Sequence, residues 1–233
     1  LNHLDINGNP KIILDLAGGT GAWSDPYRRA GYDVRLITLP DNDVCDYEPP
    51  DNVYGILAAP PCTEFSFAKS NSKYPRDMRK GMETVQSCLR IIWQCQYDLP
   101  TPLAKKTNLV FWALENPFGL LRRFLGHAVL VFNPFDFGDP HQKKTCLWGF
   151  FNEPKKNPVA YSKDYIHAMY PSGKSKSISH KFGIKADRLE QIDLYNPMFN
   201  PDGVVVPPGM DVRSVRRSIT PPGFANAFFN ANQ

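Results

Sequence analysis

At 233 residues, 42% of them hydrophobic, the chain can bury a full core as one domain, and no apolar run approaches the roughly 20 residues that cross a bilayer. The opening residues LNHLDINGNPK lack the charged-then-apolar layout of a signal peptide, and five cysteines with no CxxC pair and no zinc-like spacing support neither a disulfide framework nor a structural metal. A cytoplasmic, metal-free monomer with no membrane segment is expected. Its net charge of +4 is unevenly spread, because residues 141–190 hold ten Lys/Arg against four Asp/Glu, a concentration that suits a phosphate-bearing partner or a merely solvated loop face.

Residues 11–16 (KIILDL) read as a strand ending near Asp15, followed by the glycine-rich turn AGGTG and a helix to about residue 29. Residues 34–38 and 53–58 are two further short strands, the second stopped by Pro60 and Pro61. Apolar residues at 78, 82, 85, 89, 92 and 93 recur at helical spacing. Residues 109–117, 128–132 and 145–150 read as strands, and Pro221 and Pro222 suit the start of a last helix with Phe224 and Phe228 on one face. Strands alternating with helices predict an α/β fold with a mainly parallel sheet and helices on both faces. Between residues 152 and 208 the periodicity fades into Pro, Asn, Ser, Lys and Tyr, and a stretch that long without elements is functional or disordered.

Chemistry concentrates at strand ends. The turn at 17–21 lets backbone approach a ligand closely, although strand–glycine turn–helix units serve many nucleotides. Cys62 follows Pro60-Pro61 at the mouth of a strand, where a thiol reaches substrate. Glu115, in ENP, ends a later strand, and a Gln-Lys-Lys stretch follows at 142–144. Ligands of doubly wound sheets sit outside the carboxyl ends of strands, so these groups can converge on one crevice.

With DLAGGTGAWS, PPCTEFS, ENP, HQKKTCLWG and RRSITPPGFANAFF in this order, the chain resembles the cytosine-C5 DNA methyltransferases, particularly the short forms found in bacteriophages. The resemblance covers most of residues 11–150 and 212–230; residues 152–210 match no motif. It implies a Rossmann-like S-adenosylmethionine-dependent methyltransferase fold. Residues 1–150 and 211–233 would form the catalytic and cofactor-binding body, with a small irregular target-recognition segment at 151–210.

The resemblance further implies that Cys62 adds to C6 of cytosine and makes C5 nucleophilic, that Glu115 binds N3 and the exocyclic amine, and that Lys143 or Lys144 takes over the role of the family arginines. The cytosine must be flipped out of the duplex. S-adenosyl-L-methionine would lie against Asp15, Ala17, Gly18, Gly19, Thr20, Gly21, Trp23, Asp43, Pro60, Arg217 and Ser218. For Trp23 a plain core position is the alternative. DNA would meet Ser66, Lys69, Lys73, Arg76, Gln142, Lys174 and Lys176, with the basic stretch 66–80 folding over phosphates as a mobile lid.

The chain departs from the family pattern in several places. Ala17 stands where a phenylalanine usually packs on the adenine, no acid follows the second strand to bind ribose except Asp41 or Asp43, and the arginines after Gln142 are lysines. Arg217 stands at the closing motif's asparagine, beside the donor end of the cofactor. An arginine pairs with a carboxylate through two hydrogen bonds, so carboxy-S-adenosyl-L-methionine, giving 5-carboxymethylcytosine, stands beside the methyl donor as an alternative. Arg217 can equally bond the cofactor's own carboxylate, a neighbouring acid or a phosphate. An RNA substrate and a lapsed DNA-binding module are the remaining readings; the latter needs neither Cys62 nor Glu115.

Overall fold

The computed structural model describes residues 3–96, 108–162 and 218–233. The α/β class expected from the sequence is present, built on a six-stranded mixed sheet of order β2-β1-β3-β4-β6-β5. Strands β1 (Ile12–Leu16), β2 (Asp33–Ile37), β3 (Val53–Ala58) and β4 (Phe111–Pro117) pair in parallel. Strand β6 (Thr145–Phe150) runs antiparallel to both its neighbours, β4 and β5 (Leu130–Phe132). The sheet is therefore parallel in one part and antiparallel in the other. Apolar runs buried on both faces carry no signal of strand direction, which is why the reversal of β6 was not legible in the chain.

Alternate residues along the strands feed two cores. On one face Leu14, Ile56, Ala58, Leu114, Cys146 and Trp148 pack with Val85, Cys88, Ile91 and Ile92 of helix α2 (Met78–Gln96). Trp93, which falls in the same apolar series, is instead 67% exposed. On the other face Ile13, Leu57, Phe111, Ala113 and Leu147 meet Tyr27 of the short helix α1 (Asp25–Arg29). The short helix α3 (Arg122–Leu125) follows β4. The chain ends in α4 (Pro222–Ala231), whose Phe224 and Phe228 are fully buried on that second face, as their spacing predicts. Pro222 opens α4 with no N–H to satisfy, and the orphan N–H of Gly223 donates to Asp139 Oδ2 at 3.0 Å.

Residues 152–162 lie against this body. Asn152 N donates to Asn232 Oδ1 at 2.7 Å, Asn232 Nδ2 donates back to Asn152 O at 3.1 Å, and Val159 N donates to Phe135 O at 2.8 Å.

Candidate active site

Register places the site. Leu16 is level with Ile37 on β2 and Ala58 on β3, and Ala58 is level with Leu114 on β4. The next residues of β1, β3 and β4 therefore emerge at one edge: Ala17 opening the glycine turn, Ala59 leading to Cys62, and Glu115. Strand β6 starts at that same edge, with Thr145 level with Pro117, so Lys143 and Lys144 arrive there from the loop before it.

The glycine turn is held in left-handed backbone at Ala17 (φ 53°), Gly19 (φ 57°) and Gly21 (φ 70°). For Ala17 that conformation is strained, and strain of this kind collects at ligand sites. A side chain on Gly18 would collide with the Asp15 carboxylate, while the space beyond Gly19 is open. Asp15 itself is fully buried. Its Oδ2 accepts from Ser24 Oγ at 2.5 Å, its Oδ1 has no hydrogen-bond partner among the described residues, and burial pushes its carboxyl up to about 6. An open backbone turn beside an unsatisfied carboxylate oxygen fits a ligand that carries a donor, as a nucleoside cofactor does. Thr20 stays local, its Oγ1 accepting from Ala22 N at 3.4 Å.

The nucleophile turn is tied to β4. Asn116, fully buried, donates from Nδ2 to Pro60 O at 2.9 Å. Cys62 lies two residues after that carbonyl and Glu115 one residue before that amide. Cys62 is half-buried, outside any disulfide, and its carbonyl accepts from Phe65 N at 3.0 Å and Ser66 N at 2.8 Å, closing the turn. Burial raises the Glu115 carboxyl, and Lys143, whose Nζ is 3.9 Å away, opposes the rise without cancelling it. Lys144 points elsewhere, its Nζ lying 4.2 Å over the Phe118 ring. Of the two lysines, Lys143 is the one beside the carboxylate. Among the other thiols, burial pushes Cys88 and Cys95 up to about 12, as structural cysteines.

Several expected site residues sit differently. Trp23 is a core residue, 2% exposed, its ring 5.4 Å from Phe228 and 5.8 Å from Phe224. Lys69, expected on phosphate, pairs with Glu64 at 2.5 Å with both side chains mostly covered. Arg76 is also engaged. It donates to Glu64 O at 2.5 Å, Ser66 O at 2.9 Å and Ser70 Oγ at 3.2 Å. In place of a loose lid, the stretch after Cys62 is a clasped turn, with Ser66 supplying one of its carbonyls. Lys73 and Gln142 are exposed, as are Asp43, whose Oδ1 accepts from Cys45 N at 2.9 Å, and Ser218. Lys174, Lys176 and Arg217 lie outside the described residues.

Two organisers went unread in the sequence. Glu64 accepts from Lys69 and from Asp77 N at 2.8 Å, and Asp77 Oδ1 in turn accepts from Lys80 N at 3.0 Å, starting α2. Its signal was its isolation, since no other acid occurs between residues 52 and 76. Asn116 was visible only as the middle of ENP.

No model of a known protein family matches the chain, and the search of curated proteins found no match. Among the described residues no helix is long and apolar enough to cross a membrane, and no three His, Cys, Asp or Glu side chains group as a metal site.

Proposed function

We propose that the protein alkylates C5 of cytosine in DNA through a covalent bond between Cys62 and C6 of a flipped-out base, transferring methyl from S-adenosyl-L-methionine. The observation that carries the reading is the Asn116–Pro60 hydrogen bond, which joins the turn of Cys62 to the strand end of Glu115. A nucleophile and an acid that must act on one ring need such a tie. The Rossmann-like fold of S-adenosylmethionine-dependent methyltransferases is part of the proposal. Four parallel strands, helices on both faces and an open glycine turn at the carboxyl edge support it, and doubly wound sheets carry antiparallel strands at one side.

When bound, the sulfonium cofactor supplies an electrophilic methyl carbon. The chain's residues prepare the base for it. Cys62, as thiolate, adds to C6, and the C5–C6 electron pair becomes available at C5. Glu115, whose carboxyl burial raises toward its protonated form, would share a proton with N3 and offset the charge that builds on the ring. Lys143, beside that carboxyl, is placed to add positive potential. The glycine turn 17–21 would hold the donor so that its methyl carbon passes to C5 and the electron pair of its carbon–sulfur bond stays with the donor. The C5 proton then leaves to water, and expulsion of the thiolate restores Cys62.

DNA carrying 5-fluorocytosine tests the reading, because fluorine cannot leave C5 as a proton does. With cofactor, the wild-type protein becomes covalently attached to such DNA and Cys62→Ala does not; attachment by the alanine variant would refute the assignment. The sequence position of Arg217 favours carboxymethyl transfer from carboxy-S-adenosyl-L-methionine as the second reading. Supplying both donors in competition and weighing the product nucleoside separates the two.

A further inference from the structure

Beside the turn of Cys62 lies an open groove of about 340 Å³ formed by Phe67, Gly119, Arg122, Arg123, Gly126 and His127. We propose that this groove holds the DNA strand adjoining the flipped cytosine, a phosphate against Arg122 and Arg123 and an unpaired base against Phe67. The inference rests on the DNA reading above and goes beyond it, since neither the basic stretch after Cys62 nor the segment beyond residue 150 supplies the Arg122–His127 wall.

The groove is continuous with the reaction centre. Phe65 N donates to Cys62 O at 3.0 Å, and Phe65 O accepts from Leu120 N at 2.9 Å, so the nucleophile turn and the Arg122 segment are bonded through one residue. Gly119 is required there, because a side chain would run into Phe65 O. From Glu115 the path also runs outward along cations: Lys143 near the carboxylate, Lys144 over Phe118, and Arg122 over the same ring at 4.1 Å.

The chemistry of the lining selects the occupant. No Asp or Glu occurs between Glu115 and Asp136, so nothing acidic in that segment offsets Arg122 and Arg123. Arg122 Nε is buried without a hydrogen-bond partner among the described residues, a charged donor with an acceptor still to find. Phe67, in the lining, is 54% exposed and presents a ring face on which a base can stack. Guanidinium groups beside an exposed ring are what single-stranded nucleic acid uses, phosphate on the first and base on the second. A peptide of acidic side chains would satisfy the arginines and leave the ring idle.

The test is binding of a cytosine-bearing DNA oligonucleotide, single-stranded and as duplex, measured against salt for the full chain. Arg123→Ala, an exposed change, lowers the slope of log K against log salt by about 0.7–0.9 for the one phosphate lost. Arg122→Ala does the same. Phe67→Ala weakens binding to the single strand about tenfold, and Phe67→Tyr restores it. An unchanged slope in both arginine variants overturns the groove, as does equal weakness of Phe67→Ala and Phe67→Tyr. In either case wild-type binding and Cys62 attachment still stand, so the function is untouched. A wild-type chain that binds neither oligonucleotide overturns the DNA reading itself, and tighter binding to RNA of the same sequence overturns DNA as the occupant.

Discussion

Burial of Asp15 with Ser24 as its side-chain donor sets up a measurable conflict. Its carboxyl titrates at about 6 in the fold against an ordinary 3.8, because the charged form is desolvated. A raised carboxyl means that the folded chain keeps a proton that the unfolded chain loses first. The stability tied to that proton is complete below about pH 3.8 and is lost as pH rises through about 6, a change of about 3 kcal/mol. Glu115 and Asp139 are raised by burial too and slope the same way, so only a difference isolates Asp15. Asp15→Asn keeps an acceptor for Ser24 and has nothing to ionise. Denaturant unfolding at pH 4 and pH 7 is expected to show the variant losing about 2 kcal/mol less than wild type across that interval, the remainder having gone below pH 4. Equal losses would mean that Asp15 ionises without cost and that its neighbourhood is wetter than the buried geometry implies.

At the scale of elements, the strands and α2 were legible because their apolar runs and helical spacing leave few alternatives. The turn after Cys62 was not. Its basic residues read as free charge from sequence, yet Lys69 and Arg76 are spent on Glu64 and on the carbonyls of Glu64 and Ser66. Such pairings depend on how the chain turns over a dozen residues, and spacing does not encode that. The distinction divides two neighbouring cations. Lys73 is exposed, so Lys73→Ala should weaken DNA binding modestly and lower the salt slope by up to about 0.9, leaving the Cys62 attachment rate unchanged once DNA is saturating. Arg76→Ala removes three hydrogen bonds that shape the turn, and should slow attachment to 5-fluorocytosine DNA about tenfold or more even at saturation. Variants that differ only in binding would return Arg76 to the phosphate-contacting role first expected of it.

For the whole molecule, the arrival of the glycine turn at 17–21, Cys62 and Glu115 at one edge of the sheet follows from parallel register, and it was legible because the strand ends could be found. What could not be read was how the fold closes. The last helix caps the second face of the sheet, where Phe228 meets Trp23, Phe111, Phe151 and Phe224 with ring centroids 5.4 to 5.9 Å apart. Tyr27 Oη donates to Asn232 O at 3.3 Å, and Asn152 and Asn232 exchange hydrogen bonds, so first strand unit, late strands and last helix share one core. A shared core unfolds as one unit. Phe228→Ala, at a fully buried position, should cost about 3–5 kcal/mol, a large part of the 5–15 kcal/mol typical of a domain. That corresponds to a fall in Tm of roughly 6–20 °C, read by circular dichroism and by tryptophan fluorescence, which samples Trp23 on this face and Trp112 and Trp148 on the other. Coincident transitions at the lower temperature are the expected result. Early loss of the helix signal with the sheet melting at the wild-type temperature would make the last helix an appendage, and the second face would then need another cover.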